Sequence, residues 1–428
     1  MQKAVPMNTI IAEREQGGLG FEQIQACLER SIQGKSLKKV LLIPPDITRA
    51  NSGAGLIAAV YYRLLTAEGV HVDILPALGT HAPMTRAEQI DFFGADIPAE
   101  RFLTHDWRNG VTKIGEVPAD FVREVSGGLM DEAMAVEVSD YLLDPSYDLI
   151  LSIGQVVPHE VVGMANYTKN IVVGCGGSRF INRSHMLGAF YGIERIMGRD
   201  HSPVRQVFDY AEQRFVRKLP VAYVLTVTVT ENEQVNILGL YIGTGRDAFE
   251  RAVALSQRHN LNCLPAPIKT CVVWLDQHEF HSTWLGNKAI YRTRMAMADG
   301  GRLIILAPGV KTFGEDGEID RLIRKYGYAG RERIIALCNT QQELRDNLSA
   351  AAHLIHGSAD GRFSVIYAAP QLSRAEIEGV GFGYMDFDQA VAQYDPETLQ
   401  QGYNTLSDGE EIYFIGNPAL GLWTVESL

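Results

Sequence analysis

The chain has 428 residues, 46% hydrophobic and 21% charged, the balance of a soluble globular protein long enough for two cores. Its 51 acidic against 39 basic residues leave a net charge of −12, which argues against general phosphate-backbone binding and favours small-molecule partners, so no nucleic-acid partner is expected. No apolar run approaches the roughly 18 residues of a membrane span, no secretory core opens the chain, and the five cysteines form no C-x-x-C pair; the expectation is a cytoplasmic protein with no membrane partner and no disulfide framework.

Short apolar runs alternate with longer helical segments, the sequence form of an α/β fold with mainly parallel sheets. A strand is expected at 39–45, then the loop P-D-I-T-R and a helix at 57–68. A second strand at 72–78 leads into G-T-H-A-P-M-T, where Thr85 and Glu88 make a capping box that sets His81 just before the next helix. A third strand at 147–153 precedes G-Q-V-V-P-H-E. Residues 222–230, A-Y-V-L-T-V-T-V-T, alternate and read as a strand with one wet face. The prolines of N-C-L-P-A-P at 262–267 mark a boundary near 266. Residues 1–265 are then an N-terminal α/β domain and residues 266–428 a C-terminal α/β domain that closes an interdomain cleft, a return of the last residues to the first domain being left open. In the second series, strands are expected at 270–275, 302–307, 333–337, 363–368 and 411–415.

Ligands of open α/β sheets bind at the carboxyl ends of the strands. Asp46 and Arg49 follow the first strand, His81 the second and His159 the third. Arg49 suits a carboxylate clamp, because a guanidinium donates two parallel hydrogen bonds; the alternative is a surface arginine pairing with a nearby acid. Asp46 either orients Arg49 or caps the following turn, and Thr48 reads as a cap. Two strand-end histidines point to acid–base work, whereas His105 and Asp106 in T-H-D-W read as a turn. Between His159 and His185 lies Lys169, and a desolvated lysine amine can bond covalently to carbonyl-type groups, while imidazole is a common metal ligand. The run Gly174–Ser178, G-C-G-G-S, allows backbone amides near an anion or simply makes a tight turn, and it matches neither common nucleotide motif. Further on, His278 and His281 lack the i, i+4 spacing of a helical zinc pair, and Lys288 is the better candidate there, for an anion.

Together these segments resemble the nickel-pincer lactate racemases. That family carries D-x-T-R in the first strand-end loop, G-x-H-x-P-x-T in the second, then a histidine, a lysine ten later and a histidine sixteen beyond. Here the counterparts are Asp46–Arg49, Gly79–Thr85, and His159, Lys169 and His185 at those separations. Lys288 stands twelve residues before Gly300-Gly301, as the family's later lysine does before its Gly-Gly pair. The agreement in order and spacing spans about residues 40 to 310.

The resemblance implies a cofactor, the nickel pincer nucleotide, with Lys169 as its covalent anchor and His185 as the protein ligand to nickel. It implies His81 and His159 as the two bases, Arg49 as the carboxylate clamp with Asp46 beside it, and Lys288 as a cofactor or substrate contact. The reaction it implies is inversion at C2 of a 2-hydroxy acid through a planar keto acid, with cofactor-synthesis enzymes as partners. Departures from the founding lactate enzyme include Ala50 for a proline, Trp284 for a tyrosine and Leu285 for a glutamine. Gln155, Asn166, Tyr167 and His281 suit a larger polyhydroxylated acid, which makes a sugar acid one candidate substrate. Two other readings stand beside this one: a divalent-metal hydrolase or lyase liganded by the histidines, and a non-catalytic small-acid binding protein.

Overall fold

A computed structural model describes residues 7–231 and 234–425. The chain divides into two compact units, one of residues up to Leu187 with Met197–Asn260, the other of Gly188–Ile196 with the residues from Leu261 onward. Both are α/β units built on mainly parallel sheets. Among the described residues no helix is long and apolar enough to cross a membrane.

In the first unit the strands are β1 (Ile10–Glu13), β2 (Lys39–Ile43), β3 (His71–Ile74), β4 (Val111–Val117), β5 (Met134–Ser139), β6 (Leu149–Gln155), β7 (Pro158–His159), β8 (Gly163–Met164), β9 (Val221–Glu231) and β10 (Gln234–Gly243). Six of them form one sheet in the order β1-β10-β9-β6-β2-β3. The four strands from β9 to β3 run parallel and β1 and β10 are antiparallel additions. The apolar run after Lys39 is buried on both faces because β2 lies between β6 and β3 with a core on each side: Leu41 and Ile43 enter one cluster, Val40 and Leu42 the other.

The expected wet face of 222–230 is corrected. β9 sits between β10 and β6 and is buried through its first eight residues, with Tyr223, Leu225 and Val227 in one core and Ala222 and Val224 in the other. Its threonines stay dry because their hydroxyls have protein acceptors. Thr226 Oγ1 donates to Ser52 O and Thr228 Oγ1 to Asn51 O, each at 2.7 Å.

The second unit adds β11 (Leu261–Cys263), β12 (Ile268–Trp274), β13 (Met297–Leu306), β14 (Ser364–Ala368), β15 (Gly383–Tyr384), β16 (Gly402–Thr405), β17 (Glu411–Ile415) and β18 (Leu422–Thr424). Its sheet runs β15-β14-β13-β12-β17-β16 and is parallel except at β16. The last strand pairs with β11 inside this unit. Residues 333–337 are not a strand but part of the helix Arg331–Thr340. Only Ile334 and Cys338 of that helix are buried, a spacing of four that marks one helical stripe, so the apolar run R-I-I-A-L contributes a single core-facing row.

Candidate active site

The loop after β2 is organised by Asp46. Its Oδ1 accepts from Thr48 N at 3.1 Å and from Thr48 Oγ1 at 2.5 Å, capping the turn Ile47–Ser52 that carries Arg49. Its Oδ2 takes a hydrogen bond from His81 Nδ1 at 2.6 Å. Asp46 therefore both caps the turn and orients the histidine, and Thr48 is spent on the cap. Burial alone would raise the Asp46 carboxyl, but the bond and charge of His81, the Thr48 bond and the charge of Arg49 together hold it below its ordinary value. A carboxylate can only accept, so His81 Nδ1 carries a proton and Nε2 is the ring nitrogen that Asp46 does not engage. The His81 side chain is 56% exposed, against 6% for Asp46, so a rigid acid supports an accessible base.

Backbone bonds fix where these loops lie. Ala77 N donates to Pro44 O and Gly79 N to Gly174 O, both at 2.8 Å, which ties the His81 loop to the loop after β2 and to the segment following Lys169. Beyond His81, Thr85 and Glu88 form the expected capping box at the helix Arg86–Phe93. The Arg49 turn is held from below by the Thr226 and Thr228 hydroxyls.

His159 lies at the end of the short strand β7, which turns back tightly onto β8. The turn brings Val161 N–H onto His159 Nδ1 at 3.1 Å, and the residue is only 6% exposed. Burial pushes its pKa well down, the nearby charges of Lys169, Arg49 and His185 adding to the effect while Glu160 opposes it. Lys169 follows Asn166 and Tyr167, which hold φ values of 65° and 57°, a left-handed pair that is uncommon for a bulky residue. Two devices retain this backbone. The Arg205 guanidinium, fully buried, donates to Met164 O at 2.6 Å and Asn166 O at 3.4 Å. The Asn166 Oδ1 accepts from Tyr167 N at 2.7 Å.

Lys169 then caps a π-helical turn, Asn170–Gly174, of the kind often found at functional sites. Asn170 Nδ2 donates to Ile43 O at 3.1 Å and Ser152 Oγ at 3.0 Å, pinning the turn across β2 and β6. Glycine is required at 174 because a Cβ there would lie 2.8 Å from that of Ala77. Burial brings the Lys169 amine down to about 8, reinforced by the charge of Arg49. His185 sits on the helix Ser178–Tyr191, where Nδ1 donates to Ile181 O at 2.7 Å. That bond fixes the proton on Nδ1 and leaves Nε2 unprotonated, while burial lowers the ring pKa to about 4.

His159 thus lies within electrostatic reach of Arg49, Lys169 and His185, and Lys169 within reach of Arg49, His185 and Asp46. Lys288 belongs to the second unit, where it begins the helix Lys288–Thr293 with its amine 5.6 Å from the Phe280 ring centroid. Sequence reasoning overlooked Glu160, whose charge acts on His159, Lys169 and His185; its one signal was adjacency to His159. It also overlooked Arg205, which nothing local marks. His105 was read as part of a turn, yet it is buried and its Nε2 donates to Gly176 O at 3.0 Å, holding the glycine run. Of the polar candidates, Tyr167 is corrected to a core residue, 1% exposed with its ring 5.1 Å from that of Phe249. Gln155 donates to Thr228 Oγ1 at 2.7 Å.

Comparison with known proteins bears on this arrangement. Residues 19–195 match the family of the lactate racemase N-terminal domain. No curated protein sequence gives a significant match. Among solved structures, a protein from Thermotoga maritima is 25% identical, with a TM-score of 0.80 over 96% of this chain and 99% of that one. The lactate racemase apoprotein from Thermoanaerobacterium thermosaccharolyticum superposes with a TM-score of 0.67 at 17% identity, covering 96% of this chain and 90% of that one.

Proposed function

We propose, from the match of residues 19–195 to the lactate racemase N-terminal domain, that the chain inverts C2 of a 2-hydroxy acid using a nickel pincer nucleotide tethered at Lys169. The observation that carries this reading is the state of two nitrogens: His185 Nε2, left unprotonated by the Nδ1 bond to Ile181 O, and the Lys169 amine, whose pKa desolvation brings down to about 8. A protein-caged metal needs three or four protein donors. Among the described residues no group of three or more His, Cys, Asp or Glu side chains is arranged to hold one. A single imidazole beside a desolvated amine suits a metal that arrives with its other donors on a cofactor, which weighs against the hydrolase reading.

In this proposal His185 ligates the nickel and Lys169 anchors the cofactor covalently. When bound, the cofactor supplies a reversible hydride acceptor for the Cα hydrogen, which imidazole alone is too weak a base to remove. Arg49 grips the substrate carboxylate, its turn held by Asp46 and by the β9 threonines. His81 Nε2 faces a hydroxyl proton with Asp46 behind it to hold the imidazolium that results. His159 is the second catalytic histidine and Lys288 a second anion contact. The low exposure of His159 disfavours water near the keto acid. A sugar acid is the proposed larger substrate, with Asn166 and Gln155 as its polar neighbours.

The test is intact-mass and metal analysis after coexpression with pincer-synthesis enzymes, followed by stereochemical assays from lactate to C6 aldonic acids. Added cofactor mass on the Lys169 peptide is expected, with nickel lost in His185→Ala. Stereochemical activity with an unmodified Lys169 would overturn the assignment.

A further inference from the structure

We infer that Glu212 is a positioning residue for Lys169: through Thr168 and Tyr223 it sets the backbone from which the anchor lysine projects. The inference rests on the reading of Lys169 as the cofactor anchor, and it names a residue outside the matched segment 19–195.

Thr168 immediately precedes Lys169 and is fully buried, so its hydroxyl needs a protein partner. Its Oγ1 donates to Glu212 Oε2 at 3.1 Å, and the Tyr223 hydroxyl donates to the same oxygen. Tyr223 stands on β9, with its ring centroid 4.4 Å from that of Tyr167. The two residues before the lysine are therefore tied to one carboxyl oxygen, Thr168 directly and Tyr167 by way of the Tyr223 ring. Glu212 is itself buried, on the helix Pro203–Arg214. It follows Arg205 by two helical turns, so both side chains leave the same helix face. Arg205 holds the Met164 and Asn166 carbonyls, and Glu212 holds the Thr168 hydroxyl. One helix face thus grips the segment 164–168 at both its ends, the second grip falling just before Lys169.

The grip matters because of the backbone it holds. Asn166 and Tyr167 are left-handed, which carries a standing cost for residues with a Cβ, whereas Lys169 is right-handed at φ −54° and ψ −39°. Thr168 stands between the two conformations, so relaxing the pair would swing the lysine out of place. A buried hydrogen bond to a carboxyl oxygen is comparable in size to that cost and can offset it. Burial pushes the Glu212 acid up to about 7, against the bonds from Tyr223 and Thr168 and the charge of Arg217, while the charge of Asp209 adds to the rise. Neutral and ionised forms are therefore both present near neutral pH. Oε2 accepts in either form, so the grip depends on where the oxygen lies and not on its charge.

The test reads the placement of the lysine directly. The full-length, cofactor-free chain is treated with cyanate, which carbamylates neutral amines, and Lys169 is followed by peptide mass against surface lysines such as Lys113. Rate against pH gives the Lys169 midpoint, expected at about 8 in the parent. Thr168→Val keeps the side-chain shape and removes the donor. Its midpoint should rise by about one pH unit or more, towards the ordinary 10.5, as the amine leaves its desolvated place. Thr168→Ser restores the hydroxyl and should restore the parental midpoint. Glu212→Leu should raise the midpoint in the same way, and Glu212→Gln, which keeps an acceptor oxygen, should not. A parental midpoint in Thr168→Val overturns the proposal, as does a shift in either conservative variant as large as in its partner. If Glu212→Leu does not fold, the Thr168 pair decides. On coexpression with pincer-synthesis enzymes, cofactor attachment in Thr168→Val should slow about tenfold or more. A parent that never gains cofactor mass at Lys169 overturns the racemase reading, and the cyanate midpoints still decide this proposal.

Discussion

Asp46 shows how much one side chain contributes. It caps the Arg49 turn with one oxygen and fixes the His81 tautomer with the other. Asp46→Asn keeps the shape but can offer an N–H to His81 Nδ1, favouring the wrong tautomer. Turnover in loaded enzyme should fall about 10²–10⁴-fold with little change in melting temperature. Lys169 gives a pH-dependent prediction. Its amine has a folded pKa of about 8 against an ordinary 10.5, so between those values the unfolded chain binds more protons and stability rises with pH. Below pH 8 the buried charge costs up to roughly 3 kcal/mol, less to the extent that water reaches the side chain. Lys169→Met should therefore raise the urea midpoint of the cofactor-free protein at pH 7, and the gap should close as pH approaches 10.5. A constant gap would mean that the charge of Lys169 is not what the fold resists. At this scale the motif residues were legible because their types and spacing carry the signal. Glu160 and Arg205 were not, because their roles come from packing that brings distant backbone beside them.

The elements that bear these residues were legible where hydrophobicity alone sets the pattern, as in β2 and β6, and less so where polar groups find buried partners. In β9 the alternating threonines look solvent-facing, since sequence does not reveal that the carbonyls of Asn51 and Ser52 wait above them. The run 333–337 looked like a strand because five residues are too few to separate periods of two and four. Two predictions follow for these elements. Replacing Thr226 and Thr228 together by valine removes two donors to the Arg49 turn, costing about 1–3 kcal/mol for each carbonyl left dry. In substrate titrations the larger effect should be a raised KM with kcat less affected, because Arg49 is placed to bind rather than to react. Arg205→Met deprives the Met164 and Asn166 carbonyls of their donor beneath a left-handed pair. It should lower the urea midpoint and slow cofactor attachment at Lys169, as followed by intact mass over time.

At the scale of the molecule, composition and alternating periodicity were enough to indicate two α/β units with mainly parallel sheets. They did not indicate that Gly188–Ile196 groups with the second unit, because a helix that starts in one unit and continues into another leaves no local mark. Two units with separate cores are expected to depart from two-state unfolding. In calorimetry, cofactor loading should raise the transition of the unit holding Lys169 and His185, since a ligand that binds only the folded form stabilises it. A single transition unaffected by loading would contradict this.

The bond from His185 Nδ1 to Ile181 O spans one turn of a single helix and needs no distant partner. The ring's orientation is therefore written into five consecutive residues, and it is available as soon as that helix forms. A designer seeking one preset nitrogen donor could transplant I-N-R-S-H onto another helix, whereas the orientation of His81 would need two loops rebuilt together.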